Sequence, residues 1–131
     1  MGDGISTDFA NTGFNALSNS TDVTNVQSGF GTVTQEGSKA TAVILNTPAG
    51  LITMNGAVLT GGADVAFTLT NSYISANDIL VLTHTAVGAI GAYTLNSVCA
   101  AGSAVISVRN ITGVDLGQAI VIQFAVIHCN V

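Results

Sequence analysis

The side chains that could hold a metal or attack a substrate are few: Cys99, Cys129, His84 and His128 are the only soft ligands in the chain. His128 and Cys129 are neighbours at the end of an apolar, strand-like run, and successive side chains of a strand point to opposite faces. They cannot both reach one ion without a bulge. No C-x-x-C or H-x-x-x-H spacing offers another ligand set, so neither a metal nor a cofactor is expected. A Cys99–Cys129 disulfide would need an oxidising compartment. No basic, apolar leader opens the sequence, so folding in a reducing cytosol with both thiols free is the expectation.

The seven acids are Asp3, Asp8, Asp22, Glu36, Asp64, Asp78 and Asp115. None falls in a D-x-D or calcium-loop spacing. Asp64, Asp78 and Asp115 each stand beside turn residues and ahead of a β-rich run, where a carboxylate accepts backbone N–H groups of an Asx turn. Serine, histidine and aspartate all occur, but no serine lies in a G-x-S-x-G elbow. The segment Ala101-Gly102-Ser103-Ala104 reads as a hairpin loop. A glycine-rich phosphate loop and tryptophan are both missing. The expectation is a protein without enzymatic activity and without catalytic residues.

Charge narrows the classes further. Of 131 residues only 7% are Asp, Glu, Lys or Arg, against a typical ~25%. Lys39 and Arg109 are the only cations, and the net charge is −5. Two cations cannot neutralise a run of phosphates, which excludes nucleic-acid binding by a basic face, and they give no polybasic attachment to a membrane. The longest apolar run, Ala119 to Ile127, is interrupted by Gln123 and is too short to span a bilayer as a helix. Arg109 closes a β-rich run, where pairing with a carboxylate or capping of exposed carbonyls is expected. Small soluble proteins keep apart through interspersed surface charge. A Thr/Ser/Asn-rich and apolar surface suits a chain packed against copies of itself or a partner.

Two regions position these residues. Residues 1–30 are rich in Ser, Thr, Asn, Asp and Gly, with isolated apolar residues that include Phe9, Phe14 and Leu17. Neither the strand period nor a sustained helix period fits them. They read either as a frayed terminus or as an irregular arm whose spaced anchors insert into grooves on neighbouring subunits, and in the second case Phe9, Phe14 and Leu17 are candidate interface residues.

Residues 31–131 read as one β domain. Val65, Phe67 and Leu69 alternate with Ala66, Thr68 and Thr70. Ile120, Ile122, Phe124 and Val126 alternate with Val121, Gln123, Ala125 and Ile127, so both faces of that strand are largely apolar. Such a strand is central, or buries its second face in an interface. Val121, Gln123 and Ala125 are therefore further interface candidates. Shorter β-rich runs cover 41–46, 51–54, 78–84, 91–96 and 103–109. Thr47-Pro48-Ala49-Gly50 predicts a type I turn, and Asn55-Gly56 predicts a hairpin joining 51–54 to 57–59. About eight short strands at even spacing, with no helix-period segment, predict an all-β fold: an antiparallel β-sandwich or jelly-roll-like barrel. No edge carries the lysines or prolines that usually guard a sheet.

The phrases Gly31-Thr32-Val33-Thr34-Gln35, Leu51-Ile52-Thr53-Met54-Asn55-Gly56-Ala57, Phe67-Thr68-Leu69-Thr70-Asn71-Ser72, Ala92-Tyr93-Thr94-Leu95-Asn96 and Ser107-Val108-Arg109-Asn110-Ile111-Thr112, with the closing strand 119–127, resemble a domain that recurs in virion proteins of tailed bacteriophages. The resemblance spans about residues 31 to 128 and rests on strand-and-turn phrases, without a chemical signature. It implies a β-sandwich, symmetric homo-oligomers (often trimers) and no enzymatic activity, and it supplies no catalytic positions. Similar domains occur in capsid decoration (cement) proteins and in tail-fibre or appendage proteins. One domain with a short arm fits a decoration protein, made in the host cytoplasm and bound on the outer surface of the capsid to the major capsid protein. The alternative is a small fibre or appendage protein that recognises a host surface through the loops at 85–91 and 110–118.

Overall fold

The computed structural model of this chain describes residues 29–129. They form eight strands: β1 (Phe30–Thr34), β2 (Val43–Ile44), β3 (Ala49–Thr53), β4 (Asp64–Thr70), β5 (Ile79–Ala86), β6 (Tyr93–Ala100), β7 (Ser103–Asn110) and β8 (Val121–Ile127). The first strand takes in Phe30, one residue inside the span read as the arm. Phe9, Phe14 and Leu17 lie outside the described residues.

Two four-stranded sheets pack face to face, β1-β3-β8-β5 (sheet A) and β2-β4-β7-β6 (sheet B). The period-two pattern decides which side of each strand meets the other sheet. Ile122, Phe124 and Val126 of β8 are buried, as are Phe67 and Leu69 of β4 and Ala104, Ile106 and Val108 of β7. These residues, with Ile52, Leu80, Ile74 and Ile120, form one continuous core. Full burial of a large aliphatic or aromatic side chain contributes about 1.5–3 kcal/mol, so this layer supplies most of the drive to fold.

The sheet centres are antiparallel, β3 with β8, β8 with β5, β4 with β7 and β7 with β6. One edge of the sandwich departs from the all-antiparallel expectation, because β1 pairs parallel to β3 and β2 parallel to β4. The chain crosses between sheets at each of the first three connections. Two successive strands of one sheet therefore run the same way.

The loop Ala101-Gly102 closes a tight hairpin between β6 and β7, with Ala100 opposite Ser103 and Gly102 at φ +79°. The hairpin expected at Asn55-Gly56 does not form. Its turn type needs φ > 0 at both central residues, and Gly56 is not among the positive-φ glycines. Asn55 instead makes an Asx turn, its Oδ1 accepting Ala57 N at 2.9 Å, while β3 takes β1 and β8 as neighbours. The predicted turn at 47–50 is also shorter than expected, since Ala49 and Gly50 already belong to β3. Gly50 is required for contact, not for a turn. A Cβ there would lie 2.6 Å from the Gly31 carbonyl oxygen of β1.

Candidate interaction surface

The β8 residues singled out by the sequence share one face. Val121, Gln123 and Ala125, with Ile127, point away from the core on a central strand of sheet A, with Gln123 exposed and Val121 and Ala125 half-buried. Register sets their neighbours: Thr53, Leu51 and Ala49 on β3, and Thr83, Val81 and Ile79 on β5. Phe30 of β1 stands beside Ala49. Ile79, Val81, Ile127 and Phe30 are all exposed, Phe30 to 46%. Phe30, Ala49, Val81, Thr83, Gln123 and Ala125 line a shallow depression of about 290 Å³. That is at the small end of the range for a small-molecule site, roughly 300–1,000 Å³.

The two outer faces differ in charge. None of the four strands of sheet A contains Asp, Glu, Lys or Arg. Sheet B carries Asp64 and Arg109 directly opposite each other on β4 and β7, and its outer face also shows Thr94, Asn96, Thr68 and Ser107. Arg109 is exposed and makes no ion pair or hydrogen bond among the described residues. Its expected carboxylate neighbour is present as Asp64, but the two do not bond.

A second cluster sits at the end of the sandwich from which β5 begins. Asp78 Oδ2 accepts the N–H of Ser75, three residues before it, at 2.8 Å, in place of the expected Asx turn, which takes an N–H two residues further on, and it lies 2.9 Å from His128 Nδ1. Its Oδ1 accepts Cys129 N at 3.3 Å. The Ser75 N–H, helped by Cys129 N–H and His128, holds this carboxyl below its ordinary range against the opposing effect of burial. His128 and Cys129 thus meet one acid, the first by its ring and the second by its backbone, because β8 ends at Ile127. Cys99 and Cys129 are free thiols, and burial raises Cys99, with Asp78 and Cys129 adding to the effect. No group of three metal-binding side chains occurs among the described residues.

The opposite end carries a buried polar network that composition did not reveal. Lys39 is 5% exposed. Its Nζ donates to Asn55 O and, at 2.6 Å, to Gln118 O. Burial pushes this ammonium below its ordinary value. Gln35 donates to Lys39 O and Thr41 O and accepts Asn55 N. Tyr93 Oη donates to Gln118 Oε1 at 2.7 Å, and burial raises that phenol. Asn110 Nδ2 holds Leu59 O and Val114 O, and Asp115 accepts Gly61 N from a distant loop instead of capping its own turn. The outcome is a set of tied loops, 54–63, 87–92 and 111–120, that present exposed Val58, Val87, Ile90, Ile111 and Val114. Val87 holds φ +63°, a costly conformation for a β-branched residue, and His84 Nε2 lies 2.6 Å from its carbonyl oxygen. Lys39 and Gln35 had no sequence signal, since a lysine is ordinarily solvated and only the fold brings distant carbonyls around it.

No family model, curated protein or solved structure matches this chain.

Proposed function

We propose that this protein is a structural component of a bacteriophage virion, a capsid decoration protein that lays the outer face of sheet A on the major capsid shell and stabilises the head. The observation that carries this reading is the complete lack of formal charge across the four strands of sheet A, combined with exposed Phe30, Ile79, Val81 and Ile127. A patch of this kind on a small soluble chain serves as a contact surface. The resemblance of residues 31–128 to phage virion domains supplies the partner. Binding is mechanical: individually weak apolar contacts, repeated over the shell and multiplied by avidity among associated copies. Salt has little effect on such binding, because no ion pair is being screened.

The test is the copy number in purified particles, by quantitative mass spectrometry against the major capsid protein. A number comparable to that of the capsid protein supports head-wide decoration. Absence from particles overturns the virion reading. A second reading, a small appendage that recognises a host surface, is favoured by the exposed tips Val58, Val87, Ile90, Ile111 and Val114 on tied loops. A few dozen copies or fewer would select it over decoration.

A further inference from the structure

Strand β1 is an edge of sheet A, bonded on one side only, to β3. Along a strand the N–H and C=O groups of alternate residues turn to opposite sides. Gln35 N donates to Thr53 O at 2.8 Å, and the Gly31 oxygen lies against Gly50. Gly31, Val33 and Gln35 therefore turn their backbone groups toward β3, and Phe30, Thr32 and Thr34 turn theirs outward. Among the described residues nothing hydrogen-bonds to those outward groups. The other edge of sheet A is covered. β6 lies along β5, fixed by Ser97 Oγ donating to Leu80 O at 3.1 Å and by the edge-to-face contact of His84 with Tyr93.

Open edges are ordinarily guarded by lysine, proline, a bulge or an inward charge. β1 reads Phe-Gly-Thr-Val-Thr and has none of these, and exposed Ile44 of β2 stands at the same side of the sandwich. The four strands of sheet A carry no Asp, Glu, Lys or Arg, so two copies joined along β1 bring no formally charged strand residues face to face.

We propose that β1 pairs antiparallel with β1 of a second copy about a two-fold axis at Thr32, joining the two A sheets into one continuous sheet. Thr32 then meets its own counterpart, and Phe30 meets Thr34 of the partner subunit. Each facing pair exchanges N–H···O bonds in both directions, using the outward-turned groups. Thr–Thr and aromatic–β-branched pairs are favourable cross-strand neighbours. This pairing goes beyond the virion reading and does not rest on it. It also departs from the three-fold symmetry that the resemblance implies.

The experiment uses the full chain, by sedimentation velocity and native mass spectrometry across a wide concentration range. The wild type is expected to dimerise. Thr32→Lys and Thr32→Glu each set like charges face to face across the axis and should weaken the dimer roughly tenfold or more. Both should keep the wild-type circular dichroism, because Thr32 is exposed, and should melt as the wild type does at concentrations where it is monomeric. Mixing the two variants should restore a heterodimer. Amides of Phe30, Thr32 and Thr34 should gain hydrogen-exchange protection as concentration rises. A wild-type monomer, a trimer indifferent to both variants, or a mixture that does not reassociate would overturn the pairing. So would amide protection independent of concentration, which would place residues 1–28 of the same chain on this edge. No readout involves viral heads, so this proposal and the decoration reading can fail separately.

Discussion

At the residue scale, the informative groups are the few ionisable ones the fold takes out of water. Asp78 titrates below its unfolded value of 3.8 because the folded state supplies N–H donors to the charged carboxylate. Its contribution is therefore complete above that value and is lost as pH falls through the lower folded value. Asp78→Asn should lower the melting temperature near neutral pH by several degrees and flatten the acid-side decline, as thermal melts over an acid pH series would show. Lys39 has the opposite sense. Its folded pKa lies below 10.5, so the unfolded chain holds the proton more tightly. The cost of burying the ammonium is present at neutral pH and is relieved as pH rises toward 10.5. Even so, Lys39→Met should cost about 1–3 kcal/mol in urea unfolding, because Asn55 O and Gln118 O are left without their donor. The same variant should lose the alkaline-side gain.

At the element scale, the parallel edge pair depends on the close approach of β1 and β3. Gly50→Ala drives a Cβ to 2.6 Å from a backbone oxygen that cannot rotate away. Overpacking against backbone costs about 1–3 kcal/mol, and the loss should concentrate in β1. Hydrogen exchange should show Gly31 and Val33 deprotected before the β4–β7–β6 sheet. Uniform deprotection of both sheets would show instead that β1 is integral to the core. The tied loops at the other end are a contrasting element. Their order comes from side-chain-to-backbone bonds of Lys39, Gln35, Asn110 and Asp115, from scattered backbone bonds such as Met54 N to Ile120 O and Ile111 N to Ala92 O, and from the Leu59–Leu116 bridge, with no longer run of strand pairing.

At the scale of the whole molecule, the strands of sheet A form a face without formal charge. Gln123 sits exposed at the middle of the uncharged surface of sheet A. Gln123→Lys should leave the melting temperature nearly unchanged, since exposed substitutions usually move stability by less than about 0.5 kcal/mol. It should reduce particle attachment several-fold in a co-sedimentation assay. Attachment equal to the wild type would remove this face from the interface. Deleting residues 1–28 should leave the two sheets folded by circular dichroism, because both sheets and the core among the described residues are made by residues from Phe30 onward. It should weaken attachment if Phe9, Phe14 and Leu17 act as anchors, and normal decoration by the deletion variant would end that role.

Alternation along 65–70 and 120–127, together with the shorter β-rich runs and the evenly spaced turn residues between them, was enough to read an all-β sandwich or jelly-roll-like barrel of about eight strands and to place Val121, Gln123 and Ala125 on one outer face. Period-two patterning is local and survives without knowledge of neighbours. The scarcity of charge was equally plain, and with it the exclusion of a basic nucleic-acid surface. What local pattern does not carry is which strand lies beside which. Asn55-Gly56 has the residues of a hairpin, yet long-range pairing of β3 with β1 and β8 gave a different answer. The parallel edge pairs, the open edge at β1, the burial of Lys39 and the meeting of Asp78 with His128 and Cys129 all join residues far apart in sequence. Each was decided by the tertiary structure, because the free energy of those contacts exists only once both sheets have closed over a shared core.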